Sequence, residues 1–461
     1  MTDLALVSSL ARAATHPDPA FPRFHPRPAQ GWINDPNGVS YIDGKYHVFF
    51  QYNPDSARHR QIQWGHVSSA DLVQWEEHPV ALVPQAGGPD SAGCWTGVVT
   101  LDDGVPTAAY SGVQDHGGHS QVVIARGSSD LVSWNQDGHV AASMPTDPMV
   151  TAVRDPFIFR FNGARYAIQG AGLADGRAAL LLYSVEDMEN WEYKGIWLTS
   201  SDPVAAMHAP AEIWECPQLV EVPVAGDGST WVMMFSLWLS GDDHEHANGV
   251  GHLIGSLSAD PETGLPVFTA ATGGKSDLGR DFYAPQIVQL AYSSSAAASA
   301  SALMWGWANE GPGRDGRRGR TQEEIDDAGW SGVLTHPRLL SVADGALVVA
   351  PAPEVSAYRG AAVASDASGS VDVPAFAEVR VTGSGPVSLR LGSGADEQFV
   401  YSGTVAAGEE LRIFIDASLV EVYRSGSVAT TLRAYPLAGE SWTLELPAGA
   451  TANVWELTLP R

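Results

Sequence analysis

The stretch "GWINDPNGV" (Gly31–Val39) sets an acid, Asp35, between Asn34 and Pro36 and follows it with Asn37-Gly38. Asp-Pro and Asn-Gly are both turn formers, so alone the stretch reads as a turn whose carboxylate satisfies backbone N–H groups. It does not stand alone. "GCWTGVV" around Trp95, Asp155-Pro156, Glu215-Cys216-Pro217 and "DFYAPQ" from Asp281 continue a series whose starts lie roughly 60 residues apart. A second motif keeps the same step: "DLVQW" (Asp71–Trp75) returns as "DLVSW" (Asp130–Trp134) and, more loosely, as "DMENW" (Asp187–Trp191). Each follows an apolar, β-branched and aromatic run, "IQWGHVSS", "SQVVIARGSS" and "AALLLYSV", and no long amphipathic helical pattern appears.

A repeated unit of that length, all strand and turn, matches one four-stranded propeller blade. Five starts predict an all-β chain beginning with a five-bladed β-propeller over residues 1–345. Innermost strands of a propeller ring a central channel, so Asp35, Asp155 and Glu215 are expected to meet in one funnel. After about residue 340 the pattern changes to short alternating strands, "FAEVRV", "PVSLRL", "LRIFID", "LVEVYR" and "SWTLEL", with Gly/Ser turns between them. That is the pattern of a β-sandwich, expected over residues 346–461. The low-complexity run "SSSAAASAS" (Ser293–Ser301) reads as a hairpin loop within the last blade.

Composition narrows the partners. Acids outnumber bases 53 to 26 in 461 residues, a net charge of −27, which argues against nucleic acid and anionic membranes as partners. The two cysteines, Cys94 and Cys216, exclude a disulfide framework and a thiolate metal cluster. "MTDLALVSSLARAATHPDP" has Asp3 and no Lys or Arg ahead of its apolar run, so it makes a poor secretory signal and a cytoplasmic location is expected. No apolar run approaches membrane-span length.

Three acids in one funnel suit glycosidic hydrolysis, which needs a proton donor for the leaving oxygen and a second carboxylate at the oxocarbenium-like centre. Asp35, in a donor-rich turn, suits an ionised nucleophile. Glu215, between Trp214 and Cys216, suits an acid that keeps its proton, and Asp155, beside Arg154, suits an ionised group gripping hydroxyls.

"WINDPNG", "QYNP", "WGH", "RDP", "WECPQL", "DFYAPQ" and "GWSGVLTHPRLL" occur in an order that resembles glycoside hydrolase family 32, the invertases, fructan exo-hydrolases and related fructosyltransferases. The resemblance runs from about Phe24 to the final strands, including "IFIDASLVEVY". It implies a five-bladed propeller with a β-sandwich and retaining hydrolysis of terminal β-fructofuranosides. Asp35 would be the nucleophile, Glu215 the acid/base and Asp155 the stabiliser of the transition state. Asn34, Gln51, Trp64, Arg154, Asp281 and Trp307 match positions lining the fructose pocket, and Trp95 and Thr96 stand where an aromatic-Ser pair is usual. No metal or organic cofactor is implied. The expected partner is a small sugar, sucrose or a short fructo-oligosaccharide, acted on by a monomer or homodimer. A transfructosylase, a sucrose-6-phosphate hydrolase and a non-catalytic sugar-binding propeller are the alternatives.

Weaker signals have plain readings beside them. "DDHEHANGVGH" (Asp242–His252) offers His244 and His246 without a third ligand at sensible spacing, so an exposed loop shaping leaving-group subsites is expected. "GRDGRRGR" (Gly313–Arg320), with Arg58 and Arg60, could grip a phosphate or be merely solvated. Cys216 is expected to pack and to tune Glu215. His336 and Leu339 depart from the family pattern and are expected to affect packing.

Overall fold

The computed structural model describes residues 15–459 apart from 116–118, 227, 242–247, 291–300 and 311–312. The N-terminal stretch, most of the His-rich segment and most of the Ser/Ala-rich run lie outside the described residues.

The regular secondary structure of the described chain is almost entirely strand, and its first part folds as five consecutive, mainly antiparallel sheets. The first holds β1 (Gly31–Ile42), β2 (Lys45–Asn53), β3 (Gln63–Ser69) and β4 (Glu76–Glu77). The second holds β5 (Gly93–Asp102), β6 (Val105–Val113), β7 (Gln121–Gly127), β8 (Trp134–Asn135) and β9 (Val140–Ala142). The third holds β10 (Val150–Phe161), β11 (Ala164–Leu173), β12 (Ala178–Ser184) and β13 (Glu192–Thr199). A short helix α1 (Pro203–His208) leads to the fourth, β14 (Ile213–Pro223), β15 (Ser229–Trp238), β16 (Val250–Ala259) and β17 (Pro266–Lys275).

The fifth sheet contains β18 (Phe282–Leu290) and β19 (Ser301–Ala308), which pair across the Ser/Ala-rich run. Helix α2 (Gln322–Ala328) follows, opened by a capping box between Thr321 and Glu324. Next comes β20 (Trp330–Ser331), which returns to pair in parallel with β1. Strands β21 (Val333–Leu334), β22 (Arg338–Ala343) and β23 (Ala346–Pro351) complete the fifth sheet. The expected seam at residue 345 falls in the turn between β22 and β23.

The first strands pack side by side: β1 on β5, β5 on β10, β10 on β14, β14 on β18, and β18 back on β1. That closed order brings the same end of each first strand to one place. The repeated Asp-x-x-x-Trp segment closes the third strand of the first three sheets. Asp71, Asp130 and Asp187 accept backbone N–H bonds two residues ahead, and the Trp134 and Trp191 indoles donate back to Leu131 and Met188 carbonyls.

From Arg359 on, the chain forms two further sheets. One has six strands: β24 (Arg359–Ala367), β26 (Phe376–Gly383), β29 (Glu410–Asp416), β30 (Leu419–Arg424), β31 (Thr430–Arg433) and β33 (Ala450–Leu457). The other has four: β25 (Ser370–Val373), β27 (Gly385–Leu391), β28 (Gln398–Val405) and β32 (Trp442–Glu445). Alternate Val, Leu and Ile side chains of both sheets form their own buried core.

A charged seam joins this unit to the five sheets. Arg338, fully buried, donates to Glu421 at 2.7 Å and to Asp277 at 2.8 Å. Such pairs hold only with complete hydrogen bonding, since losing one partner leaves an uncompensated buried charge. Among the described residues, no helix is long and apolar enough to cross a membrane.

Candidate active site

Each of the five first strands breaks its pairing register near its start, between Ile33 and Pro36, Cys94 and Gly97, Arg154 and Phe157, Glu215 and Gln218, and Tyr283 and Gln286. Such bulges re-aim side chains. The residues they free are Asn34-Asp35, Trp95-Thr96, Asp155-Pro156, Cys216-Pro217 and Ala284-Pro285, pairs whose first members stand 61, 60, 61 and 68 residues apart. Asp155, Cys216 and Ala284 take the left-handed conformation, with φ of 59°, 47° and 47°. For non-glycine residues that strain costs roughly 1–3 kcal/mol each and concentrates at functional sites. Prolines at 156, 217 and 285 follow, unable to donate to the ladder, so the break is fixed by the sequence.

This register corrects the expected series. Glu215 is not the counterpart of Asp155 but stands one residue earlier, the last paired residue before the break, as Arg154 and Tyr283 are in their strands. Asp281 precedes β18 altogether.

Four donors surround Asp35. Thr96 Oγ1 donates to Oδ2 at 2.5 Å, Gln51 Nε2 at 3.1 Å and Cys216 Sγ at 3.4 Å, while Asn34 Nδ2 donates to Oδ1 at 3.1 Å. Cys216 also serves Asp155, its backbone N–H donating to Oδ2 at 2.9 Å and its thiol lying 3.6 Å from the same oxygen. One residue thus ties two carboxylates, and not Glu215 as expected. Burial, then the surrounding carboxylates, pushes the thiol far above its ordinary range, so it stays a donor.

Arg154 donates to Glu215 Oε1 at 2.7 Å, so the guanidinium expected beside Asp155 pairs with the other acid. Tyr283 Oη donates to Glu215 Oε2 at 2.8 Å. Burial raises Asp35 to about 6 against the pull of the Thr96 hydrogen bond, higher than its donor-rich turn suggested. Burial and then the Glu215 charge raise Asp155 to about 8, with Arg154 acting the other way. Three acids and one guanidinium cannot all be charged cheaply in a dry site, so it retains a proton near neutral pH.

The remaining expected residues divide. Asn34, Gln51, Thr96 and Arg154 join the acids directly. Trp307 packs with Trp32, Tyr283 and Cys216, its ring centroid 5.8 Å from that of Trp32. Trp95 is half-buried at the rim. Trp64 does not line the site: it is wholly buried, and its indole N–H donates to the Trp95 carbonyl at 3.0 Å from beneath. Asp281 does not join it either. Its oxygens accept from Arg314 at 2.6 Å, Arg317 at 2.5 Å and the Arg433 N–H at 2.8 Å, in the seam between the two units.

The arginines of residues 313–320 do not form a phosphate grip. Arg314 and Arg317 pair with Asp281, Arg318 with Glu440 and Arg320 with Glu310. Arg58 pairs with Asp326 of α2. Sequence reading missed Tyr283, which donates to Glu215. Tyr283 was within reach, since it holds the register position of Glu215.

Among the described residues one cluster has the makings of a cation site: ring nitrogens of His25 and His336 and an oxygen of Glu421 lie within 4.8 Å of one another. Its positive charge is already supplied. His25 lies 2.6 Å from Asp416 and 2.9 Å from Glu421, and these carboxylates, outweighing burial, raise it to about 9. Arg338 occupies the other Glu421 oxygen, and His336, stacked 3.7 Å from His25, stays neutral through burial and that neighbour's charge.

Residues 25–351 match the model of the glycosyl hydrolases family 32 N-terminal domain. The chain is 29% identical over 444 residues to a sucrose-6-phosphate hydrolase of Zymomonas mobilis, covering 91% of this chain and 80% of that protein. It is 29% identical over 346 residues to a raffinose invertase of Escherichia coli, 74% of this chain and 66% of that one. Among solved structures, the GH32 beta-fructofuranosidase BmSUC1 of Bombyx mori superposes with a TM-score of 0.78 at 24% identity, covering 98% and 97% of the two chains. The chain is a glycoside hydrolase and belongs to glycosyl hydrolase family 32.

Proposed function

We propose that this enzyme is a retaining exo-β-fructofuranosidase acting on sucrose and short fructo-oligosaccharides, in which Asp35 is the nucleophile, Glu215 the acid/base and Asp155 the group that grips fructose hydroxyls. The observation that carries the reading is the convergence on Cys216. Its thiol reaches both Asp35 and Asp155, and the residue before it is the third acid, so three carboxylates meet at one strand end. The five sheets are read as the blades of a propeller and the two that follow as a sandwich, with the seam between residues 345 and 359.

In the first half-reaction an Asp35 oxygen bonds to the anomeric C2 of the fructosyl unit while the C2–O bond to the leaving group breaks. Glu215 gives its proton to the departing oxygen. Glu215 then takes a proton from water, whose oxygen bonds to C2 and releases Asp35. The donors around Asp35 hold it in line and keep its resting charge available, which burial alone opposes. Trp32, Trp95 and Trp307 supply the apolar wall for the sugar face.

The names of several relatives favour sucrose 6-phosphate as a second substrate. With residues 313–320 engaged elsewhere, Arg60, exposed next to His59, is the cation that would meet the phosphate. A cytoplasmic location and a monomer or homodimer fit small sugars. Anion-exchange analysis of products from sucrose, sucrose 6-phosphate, 1-kestose, inulin and levan tests the reading. Free fructose from sucrose or 1-kestose is expected, longer oligosaccharides at high sugar would make it a transferase, and no product from any would overturn the assignment.

A further inference from the structure

His59 lies between β2 and β3, exposed, with its ring edge-on to two tryptophans, at 5.9 Å from Trp32 and 5.5 Å from Trp95. Its Nε2 is 3.2 Å from Gln51 Oε1. An amide oxygen only accepts, so Nε2 carries the hydrogen and His59 donates. That contact matches the way the Gln51 amide faces. With Oε1 turned to His59, Gln51 Nε2 points at Asp35 Oδ2, 3.1 Å away, and at Thr96 Oγ1, 2.7 Å away. Because Thr96 Oγ1 accepts from Gln51, its own hydrogen goes to Asp35 Oδ2 at 2.5 Å. The donors run in one direction, from the rim to the carboxylate. Turned over, the amide would set its oxygen against Asp35 and offer the Thr96 hydroxyl a competing acceptor.

We propose that His59 is a positioning residue: by donating to Gln51 it locks the amide so that Gln51 and Thr96 both donate to Asp35. This rests on Asp35 being the attacking carboxylate. The relay survives protonation of His59, since both ring nitrogens then donate. The other groups facing Asp35 are Asn34 of its own strand, Glu215 and Cys216 of β14, Asp155 and Arg154 of β10, and Tyr283 of β18. Through the relay His59 reaches Asp35 by way of Gln51 and Thr96, and the other groups only through Asp35.

Two variants separate the relay from simple wall contact. His59→Phe keeps a ring between the tryptophans and removes the donor, whereas His59→Gln keeps an N–H at nearly the Nε2 position. In kcat/KM profiles, His59→Phe is expected to move the acidic limb upward, losing about three- to tenfold near pH 5 and less than about twofold near pH 8, for one weakened hydrogen bond. His59→Gln is expected to keep the wild-type limb. An equal loss at every pH in His59→Phe, or a displaced limb in both variants, would overturn the relay. Carboxyl NMR titration of Asp35 in wild type and His59→Phe reads the same shift without substrate. A shift there with no hydrolysis of any sugar would sink the proposed function and keep the relay, and no shift would sink the relay whatever the activity.

Discussion

Thr96 Oγ1 and Asp35 Oδ2 lie 2.5 Å apart across the boundary between the first two sheets. They are bulge residues of adjacent strands, so the packing of one sheet on the next sets the charge of the carboxylate. Burial raises Asp35 to about 6, and this hydrogen bond is the largest influence pulling it back.

Thr96→Val keeps the shape and removes that donor. The Asp35 carboxyl is then expected above about 6, because its charged form loses a partner and its neutral form loses little. In a kcat/KM profile the acidic limb moves to higher pH, with a loss of roughly tenfold on the limb and a smaller one on the plateau. An unmoved limb would show that Thr96 does not act on the group that limits activity in acid.

Tyr283→Phe leaves Glu215 held by Arg154 alone. Protonation of the leaving oxygen is expected to suffer, so kcat on sucrose should fall about tenfold while an aryl fructoside with a good leaving group loses far less. Equal losses on the two substrates would place Tyr283 outside the acid step.

Asp155 is raised to about 8 in the folded protein from 3.8. A carboxyl raised by folding adds stability that is complete below its unfolded value and lost as pH climbs through the folded one. Asp155→Asn removes that loss. It is expected to melt about 2–4 °C above wild type near pH 8.5 and within about 1 °C of it near pH 4. A variant less stable than wild type at the alkaline end would contradict the buried, disfavoured charge.

Asp281 is held by Arg314, Arg317 and Arg433 and is away from the three acids. Asp281→Asn leaves buried guanidinium groups without their counter-charge, a change that costs about 3–5 kcal/mol when a buried pair is broken. Calorimetry should record a lowered Tm, while KM for sucrose at low temperature stays within about twofold of wild type for want of a lost sugar contact. A large rise in KM at unchanged stability would return Asp281 to the sugar pocket.

Much of this was legible from residues. The 60-residue step, the strand-like runs and the Asp-x-x-x-Trp closures fall where the sheets put them. Asp35, Asp155 and Glu215 meet because strand starts at that step share one end of the ring. What misled was aligning like with like. Glu215 was set level with Asp155 because both are acids, whereas the Pro that follows each bulge aligns Cys216 with Asp155 and leaves Tyr283 level with Glu215. The motif around Trp64 points to the pocket, but on a fully covered strand its indole turns into the core and donates to the Trp95 carbonyl. Asp281 and Arg318 were unreadable for another reason: Arg433 and Glu440, which bond to them, lie more than a hundred residues away in the second unit.

Mass spectrometry of a trapped intermediate tests the role of Asp35 most directly. Glu215→Gln would be mixed with an activated fructosyl donor whose departure needs no proton, quenched in acid and digested. The peptide carrying Asp35 should gain the mass of one anhydrofructosyl unit, with fragmentation placing it on that residue. Turnover of the donor with no adduct at Asp35, or an adduct on Asp155, would contradict the assignment.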